Sequence, residues 1–417
     1  MKKVIFALLV VSITIFPIEY QLVAQSYFEG LISKNFEKCY ELSSDILKKH
    51  LPIGKLKEIW EGIEQTYGPF SNIIKITPIE KSPYMIYIYT AKFQKGALNI
   101  SITVNNQGKI DGLFFNIAQN LEYKAPNYVK NDNFTEKDIK VGDLPGKLTI
   151  PKNPTDVAVI LIHGSGPNDM DETIGPNKIF KDIAYGLSSN NIAVLRYDKR
   201  TLHPELLKDP ENITVKEEVI DDVERAVKLL KKEGYKKIYL LGHSLGAYLA
   251  PYIAYKNQDI YGLILLAPPA RNIEEITLDQ LEFLEKLYSG KNKEEIKKAK
   301  EEVIKLINNK ASKNEIILGA PASYWYDLRN YNPLKYIKQL KIPVLMLFGE
   351  NDYQVTTKEF EIFKKELSEK KNIKIKMYSN LTHIFTPGEK SPYSYYIENQ
   401  VSRKVIEDIV SFIEGRN

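Results

Sequence analysis

The run Gly242-His243-Ser244-Leu245-Gly246 combines a hydroxyl with small residues two before and two after it. That spacing suits a sharp, strained strand-to-helix turn, which holds a serine hydroxyl up at its apex. The flanks agree: an apolar run, Ile238–Leu241, precedes it and a helical pattern, Ala247–Tyr255, follows. A helix beginning at such a turn favours negative charge beside the serine. The chemistry this permits is nucleophilic catalysis by Ser244.

A serine nucleophile needs a base, and the chain offers five histidines: His50, His163, His203, His243 and His383. His50 lies far upstream in a different unit, His163 ends an apolar strand-like run, and His203 sits in a polar loop. His243 adjoins the serine, and its side chain should leave the turn in another direction. For a nucleophile on such an elbow, the acid and then the histidine follow in chain order. Only His383 lies downstream of Ser244, in a loop just after the last strand-like run, so His383 is the expected base. The acid should follow the penultimate strand, where Phe348-Gly349-Glu350-Asn351-Asp352 stands; Asp352 is preferred, with Glu350 as the alternative. Its task is to orient the imidazole and stabilise the imidazolium. Acyl transfer also needs N–H donors aimed at a developing oxyanion. The backbone N–H of Leu245 is one candidate, and that of Ser165, with Gly164 as the alternative, is the other.

These residues need a scaffold, and from about Ile139 the pattern supplies one. Strand-like runs, several of them continuously apolar, alternate with amphipathic ones: Val157–Ile162, Ile192–Tyr197, Ile238–Leu241, Leu263–Leu266, Val344–Phe348 and Ile373–Tyr378. Strands apolar throughout are buried on both faces, and the alternation predicts a mainly parallel sheet between helices. Residues 271–335 break the rhythm with no strand candidate. They contain a charged helix over Glu294–Ile307 with Ile296, Ala299, Val303 and Leu306 on one face. Pairs Glu294/Lys298 and Glu301/Lys305 are expected along it. An all-helical insertion at that point reads as a cap over the site. Its Tyr324, Trp325 and Tyr326 are candidate walls of a substrate pocket. Asp198, Lys199 and Arg200, closing the second strand-like run, read as structural ion-pair residues near the oxyanion loop, and Asp221 and Asp222 as compensation for a helix dipole.

Upstream the pattern differs. Helical stretches around Ser26–His50 and Gly54–Tyr67 precede period-two runs at Tyr84–Thr90, Ala97–Val104 and Ile110–Phe115. They predict a small α+β domain over 26–123, with its tyrosines Tyr84, Tyr87 and Tyr89 serving packing. A polar linker is expected over 124–138. Ahead of all this, Lys2 and Lys3 precede an apolar or neutral run, Val4–Phe16, the form of an export signal, with a cut expected near Ala24 and residues 1–25 removed.

The motifs HGSGPND (163–169), LRYDKR (195–200), GHSLG (242–246), LLAPPA (265–270), LFGENDYQV (347–355) and Thr382-His383 resemble those of the α/β-hydrolase superfamily. More narrowly, the chain resembles bacterial secreted carboxylesterases of the dienelactone-hydrolase and BAAT-like branches. Residues 25–123 resemble a small domain of unknown function fused to such enzymes. The resemblance implies an α/β-hydrolase fold: a doubly wound, mainly parallel sheet with a helical cap, over 139–417, preceded by the small α+β domain. It also implies a triad of Ser244, Asp352 and His383, and cleavage of carboxylic esters with short to medium acyl chains. A peptidase on the same triad, and an envelope binding protein with a vestigial hydrolase fold, are the alternatives. Relatives often carry Gly after the DKR element, where this chain has Thr201.

No metal or organic cofactor is expected. A surplus of 58 basic over 53 acidic residues in 417 is too small to suggest a nucleic-acid binder. With one cysteine, Cys39, no internal disulfide framework can be built. The expected partner is a small-molecule ester, and the N-terminal domain is the candidate for contact with an envelope or polymer.

Overall fold

The computed structural model describes residues 17–118, 123–209, 212–287 and 290–416. The N-terminal domain opens with helices α1 (Pro17–Ile32), α2 (Phe36–Leu42), α3 (Asp45–His50) and α4 (Ile53–Tyr67). One continuous helical stretch was expected over 26–50; the chain instead breaks it twice. Asn35 caps α2 by accepting from the N–H of Lys38, and Ser44 caps α3 by accepting from Leu47. Short polar side chains satisfy the free N–H groups of a new helix start, so each marks a break. The expected export signal lies, over residues 1–16, outside the described residues. The expected cut near Ala24 falls inside α1, where Ala24, Tyr27, Phe28 and Leu31 are buried in this domain's core.

The helices cover an antiparallel meander of β1 (Phe70–Lys81), β2 (Tyr84–Phe93), β3 (Gly96–Val104) and β4 (Ile110–Ile117). The first strand was not expected: Pro78 and two register shifts against β2 blur its period. Tyr87 and Tyr89 are buried as packing residues, Tyr89 stacked on Phe28 at 4.4 Å, while Tyr84 faces outward. Trp60 is wholly buried between α4 and the sheet's Phe93 and Phe115.

The second domain is built on an eight-stranded sheet. A hairpin of β5 (Phe134–Val141) and β6 (Leu144–Pro151) is followed by β7 (Val157–Ile162). A short pair, β8 (Thr173–Ile174) and β9 (Asn177–Lys178), leads into α5 (Ile179–Ser188). Then come β10 (Ala193–Tyr197), α6 (Asp221–Lys232), β11 (Lys237–His243), α7 (Leu245–Lys256) and β12 (Ile260–Leu266). The insertion holds α8 (Ile273–Leu287), α9 (Gly290–Ile307), a small hairpin of β13 (Ile316–Ile317) and β14 (Ala320–Pro321), and α10 (Ala322–Leu328). The chain closes with α11 (Pro333–Ile337), β15 (Val344–Gly349), α12 (Thr357–Glu366), β16 (Ile373–Tyr378) and α13 (Arg403–Ile413).

The sheet order is β16-β15-β12-β11-β7-β10-β6-β5, parallel from β16 to β10 and antiparallel at the β6 and β5 edge. The expected linker over 124–138 is therefore too long, because β5 begins at Phe134. As an edge strand it has solvent beyond it, so it carries the polar residues that made it look like a connector. The cap is not all helical, since β13 and β14 pair within it. In α9, Ile296, Val303 and Leu306 are buried as expected. The charges pair otherwise: Lys297 reaches Glu294, Lys300 reaches Glu285 on α8, and Lys305 reaches Glu315.

Strand order reverses beside β7: the chain goes from β7 to β10 on one side, then crosses back to β11 on the other. The ends of β7 and β11 therefore open a crevice between them, the place where ligands settle in such sheets.

Candidate active site

Gly242 on β11 pairs in register with Ile162 on β7, which places the segments after both strands side by side. Ser244 stands between β11 and α7 with φ +52° and ψ −113°, a strained conformation for a residue bearing a side chain. Both glycines of the elbow are dictated by close approach. A Cβ on Gly246 would lie 2.1 Å from the Ile162 carbonyl oxygen, and one on Gly242 would lie 2.4 Å from the Gly246 backbone.

Asp352 is wholly buried after β15. Its Oδ1 accepts from the N–H groups of Gln354 (2.7 Å) and Val355 (2.9 Å), which fixes the carboxylate. Its Oδ2 lies 2.7 Å from Nδ1 of His383. Glu350, the alternative acid, is exposed. The His383 loop can approach because residue 349 is glycine: a Cβ there would lie 2.3 Å from the Leu381 carbonyl oxygen. Thr382 braces the loop by bonding Thr386.

The other histidines near the elbow are committed elsewhere. His163 bonds the Asp169 carbonyl, and burial lowers its pKa to about 4. His243 uses both ring nitrogens: Nε2 donates to the His383 carbonyl (3.0 Å), and Nδ1 faces Glu172 Oε2 at 3.0 Å. Neither is free to take a proton from Ser244. His203 pairs with Asp198 in its loop.

Gly164 and Ser165 follow β7. The Gly164 N–H donates to Glu172 Oε1 (2.7 Å), which removes it as an oxyanion donor. Its carbonyl accepts from the Lys199 ammonium (2.8 Å). A trans peptide points its C=O and N–H in opposite directions. Lys199 therefore fixes the direction of the Ser165 N–H, which belongs to the same peptide unit as that carbonyl. Lys199 is buried and also paired with Glu218 at 2.6 Å.

The DKR residues are structural, as expected from sequence. Asp198 accepts from the Met170 N–H, and Arg200 grips Asp222 through two bonds of 2.6 and 2.8 Å. Asp222 is thus an ion-pair partner rather than mere dipole compensation. Thr201, at the departing position, donates to the Gly166 carbonyl. Arg196 in LRYDKR is almost completely buried and bridges Glu136 and Asp171, which pins the same loop from behind.

The three aromatics of the insertion send their polar atoms to different partners. Trp325 Nε1 donates to the Ile317 carbonyl and Tyr326 to the Ala311 carbonyl, so both secure the insertion to itself. Tyr324 reaches Glu218 (2.5 Å) and through it Lys199. The burial of Tyr324 and the nearby Glu218 carboxylate keep its hydroxyl protonated, well above the usual phenol range. Sequence reasoning missed Glu172 and its link to His243; an acid in a loop carries no pattern, and only its burial sets it apart.

Comparison with known proteins agrees with this architecture. Residues 154–390 match the family described as serine aminopeptidase, S33, and residues 24–113 match a domain of unknown function, DUF3887. The chain is 44% identical to Esterase EstD of Thermotoga maritima over 391 residues, covering 93% of each. Similar solved structures include an esterase of Pyrococcus furiosus, 17% identical with a TM-score of 0.45, spanning 70% of this chain and 96% of that one. Another is Est1E of Butyrivibrio proteoclasticus, 20% identical with a TM-score of 0.46, spanning 67% and 98%. With a family match over more than half its length, and close identity to a relative across nearly all of it, the chain belongs to the S33 serine aminopeptidase family of α/β hydrolases.

Proposed function

We propose that the protein hydrolyses carboxylic esters through an acyl-enzyme on Ser244. The observation that carries this reading is the Asp352–His383 pair, held by the His243–His383 backbone bond against the elbow that presents Ser244. The identity to a relative named an esterase supports the choice of ester. Ser244 attacks the carbonyl while His383 Nε2 takes its proton, with Asp352 holding Nδ1–H and stabilising the imidazolium. The N–H groups of Leu245 and Ser165 receive the oxyanion. His383 returns the proton to the departing alcohol, then activates water to release the acid. The acyl group is short to medium in length.

The match to a family described as aminopeptidase favours one second reading, a peptidase on the same residues. One experiment separates the two: turnover of p-nitrophenyl esters from acetate to decanoate, beside matched peptide anilides, by the protein and its Ser244→Ala variant. Ester turnover that exceeds anilide turnover, falls with chain length and vanishes in the variant is expected. Faster cleavage of anilides would replace the esterase reading.

The basic start and apolar run of residues 1–16 support export, with the leader ending ahead of α1 rather than at Ala24, since a cut there would remove half of a packed helix. Sequencing the N-terminus of the exported protein tests this; a start after Ala24 would contradict it.

A further inference from the structure

One buried ionisable pair has no part in the chemistry above. Glu172 and His243 are both almost completely buried, with Oε2 and Nδ1 3.0 Å apart. The two atoms are in contact without a well-aligned hydrogen bond between them. His243 Nε2 must carry a proton to donate to the His383 carbonyl, and Nδ1 facing a carboxylate carries the other. The ring is then an imidazolium. Burial works against that charge, but Glu172 beside it outweighs burial and raises the pKa of His243. Burial likewise works against the Glu172 carboxylate, and His243 outweighs it and lowers its pKa. Buried ion pairs seldom add stability over apolar packing, so their retention calls for another reason.

The reason lies in what the pair connects. Glu172 comes from the loop after β7 and holds the Gly164 N–H with its other oxygen. His243 belongs to the elbow and holds the backbone of His383, with the two rings 4.7 Å apart and tilted by 46°. Glu172 itself sits in the left-handed backbone region, φ +46°, rare for a residue with a long side chain. Its neighbour Asp171 is tied to Arg196. The loop is thus anchored at both residues.

We propose that Glu172 and His243 are a positioning pair that locks the oxyanion loop, the nucleophile elbow and the His383 loop into one geometry. The proposal rests on the serine-hydrolase reading above. Neither residue exchanges a proton with substrate; each acts through Gly164 or His383.

The test compares Glu172→Ala and His243→Ala with Glu172→Gln, measuring kcat and KM on p-nitrophenyl acetate. Ser244→Ala is the control, and circular dichroism checks folding. Misplacing reactive groups by about 1 Å costs on the order of 100-fold in rate. The two alanine variants are expected to lose about that much in kcat with little change in KM. Glu172→Gln is expected to recover most of the loss, because its carbonyl still accepts from Gly164 and its amide still faces a neutral His243. Should Glu172→Ala not fold, Glu172→Asp carries the test: the carboxylate is drawn back by one methylene, and the same kcat loss is expected. Folded Ala or Asp variants with wild-type kcat would overturn the pair's role alone. So would a Gln variant as slow as the Ala variant, since charge rather than placement would then matter. Turnover surviving in Ser244→Ala would overturn the serine reading and this inference with it.

Discussion

The two domains use burial differently. In the N-terminal domain the buried side chains are apolar or aromatic, joined by a few neutral polar groups: Gln21, Ser43, Thr90 and Asn105. Among the described residues, no Asp, Glu, Lys, Arg or His is buried there. The catalytic domain buries His163, Glu172, Asp182, Arg196, Asp198, Lys199, Arg200, Glu218, Asp222, His243, Glu274, Asp352, Glu359 and His383. Buried charge is costly, and a fold that only needs stability avoids it. Where it collects, it marks the region in which side chains are held for chemistry or for the loops that perform it.

The contrast predicts that changes in the two domains have separable effects. Ser244→Ala should lower kcat on p-nitrophenyl acetate by about 10⁴–10⁶-fold while leaving the melting temperature unchanged. A comparable loss of stability would blur the contrast. Asp352→Asn should lower kcat by about 10⁴-fold, because an amide no longer holds the useful tautomer of His383. A pH–rate profile of the variant checks that activity does not simply move to another pH.

Trp60→Ala tests the other domain. Emptying its fully buried site should cost about 3–5 kcal/mol of that domain's stability, read by denaturant unfolding. Activity per folded molecule should stay as it was. A large fall in kcat would mean that the N-terminal domain shapes the site, which its Lys75–Glu398 bridge to the segment beyond the His383 loop gives a route to do.

The smallest effect concerns pH. Burial lowers the pKa of His163 from 6.5 to about 4, so the unfolded chain takes up a proton below about 6.5 that the folded chain refuses. Stability from this residue is therefore lost as pH falls from about 6.5 to 4. Asp182, raised to about 6 by burial, acts in the opposite sense in part of that range. A comparison of wild type with His163→Phe cancels the Asp182 contribution. The stability difference should shift towards the variant by up to about 3 kcal/mol as pH falls through that window. A constant difference would show that His163 titrates normally.

The sequence made the catalytic domain more legible than the N-terminal one. Apolar runs such as Val157–Ile162 and Leu263–Leu266 fall in β7 and β12, because strands buried on both faces leave no ambiguity. Edge strands do leave it: β5 looks like a linker because one side has no partner, and β1 hides behind Pro78 and its bulges. Of the site residues, Ser244, Asp352 and His383 could be singled out because each follows a recognisable strand. Glu172 could not, since its role depends on a loop that folds back by eight residues to meet Gly164. The parts of Tyr324, Trp325 and Tyr326 could not be told apart for a related reason. Adjacent residues on a short helix point to different surroundings, so only one of the three faces the buried chain leading to Ser165.

The central claim is that an acyl group passes through Ser244. The most direct measurement is mass spectrometry of the protein after exposure to an alkyl fluorophosphonate, followed by peptide mapping of the adduct. One phosphonyl group per molecule, on the peptide carrying Ser244 and absent in Ser244→Ala, is the predicted result. A catalytically active preparation that carries no adduct, or carries it on another residue, would contradict the account.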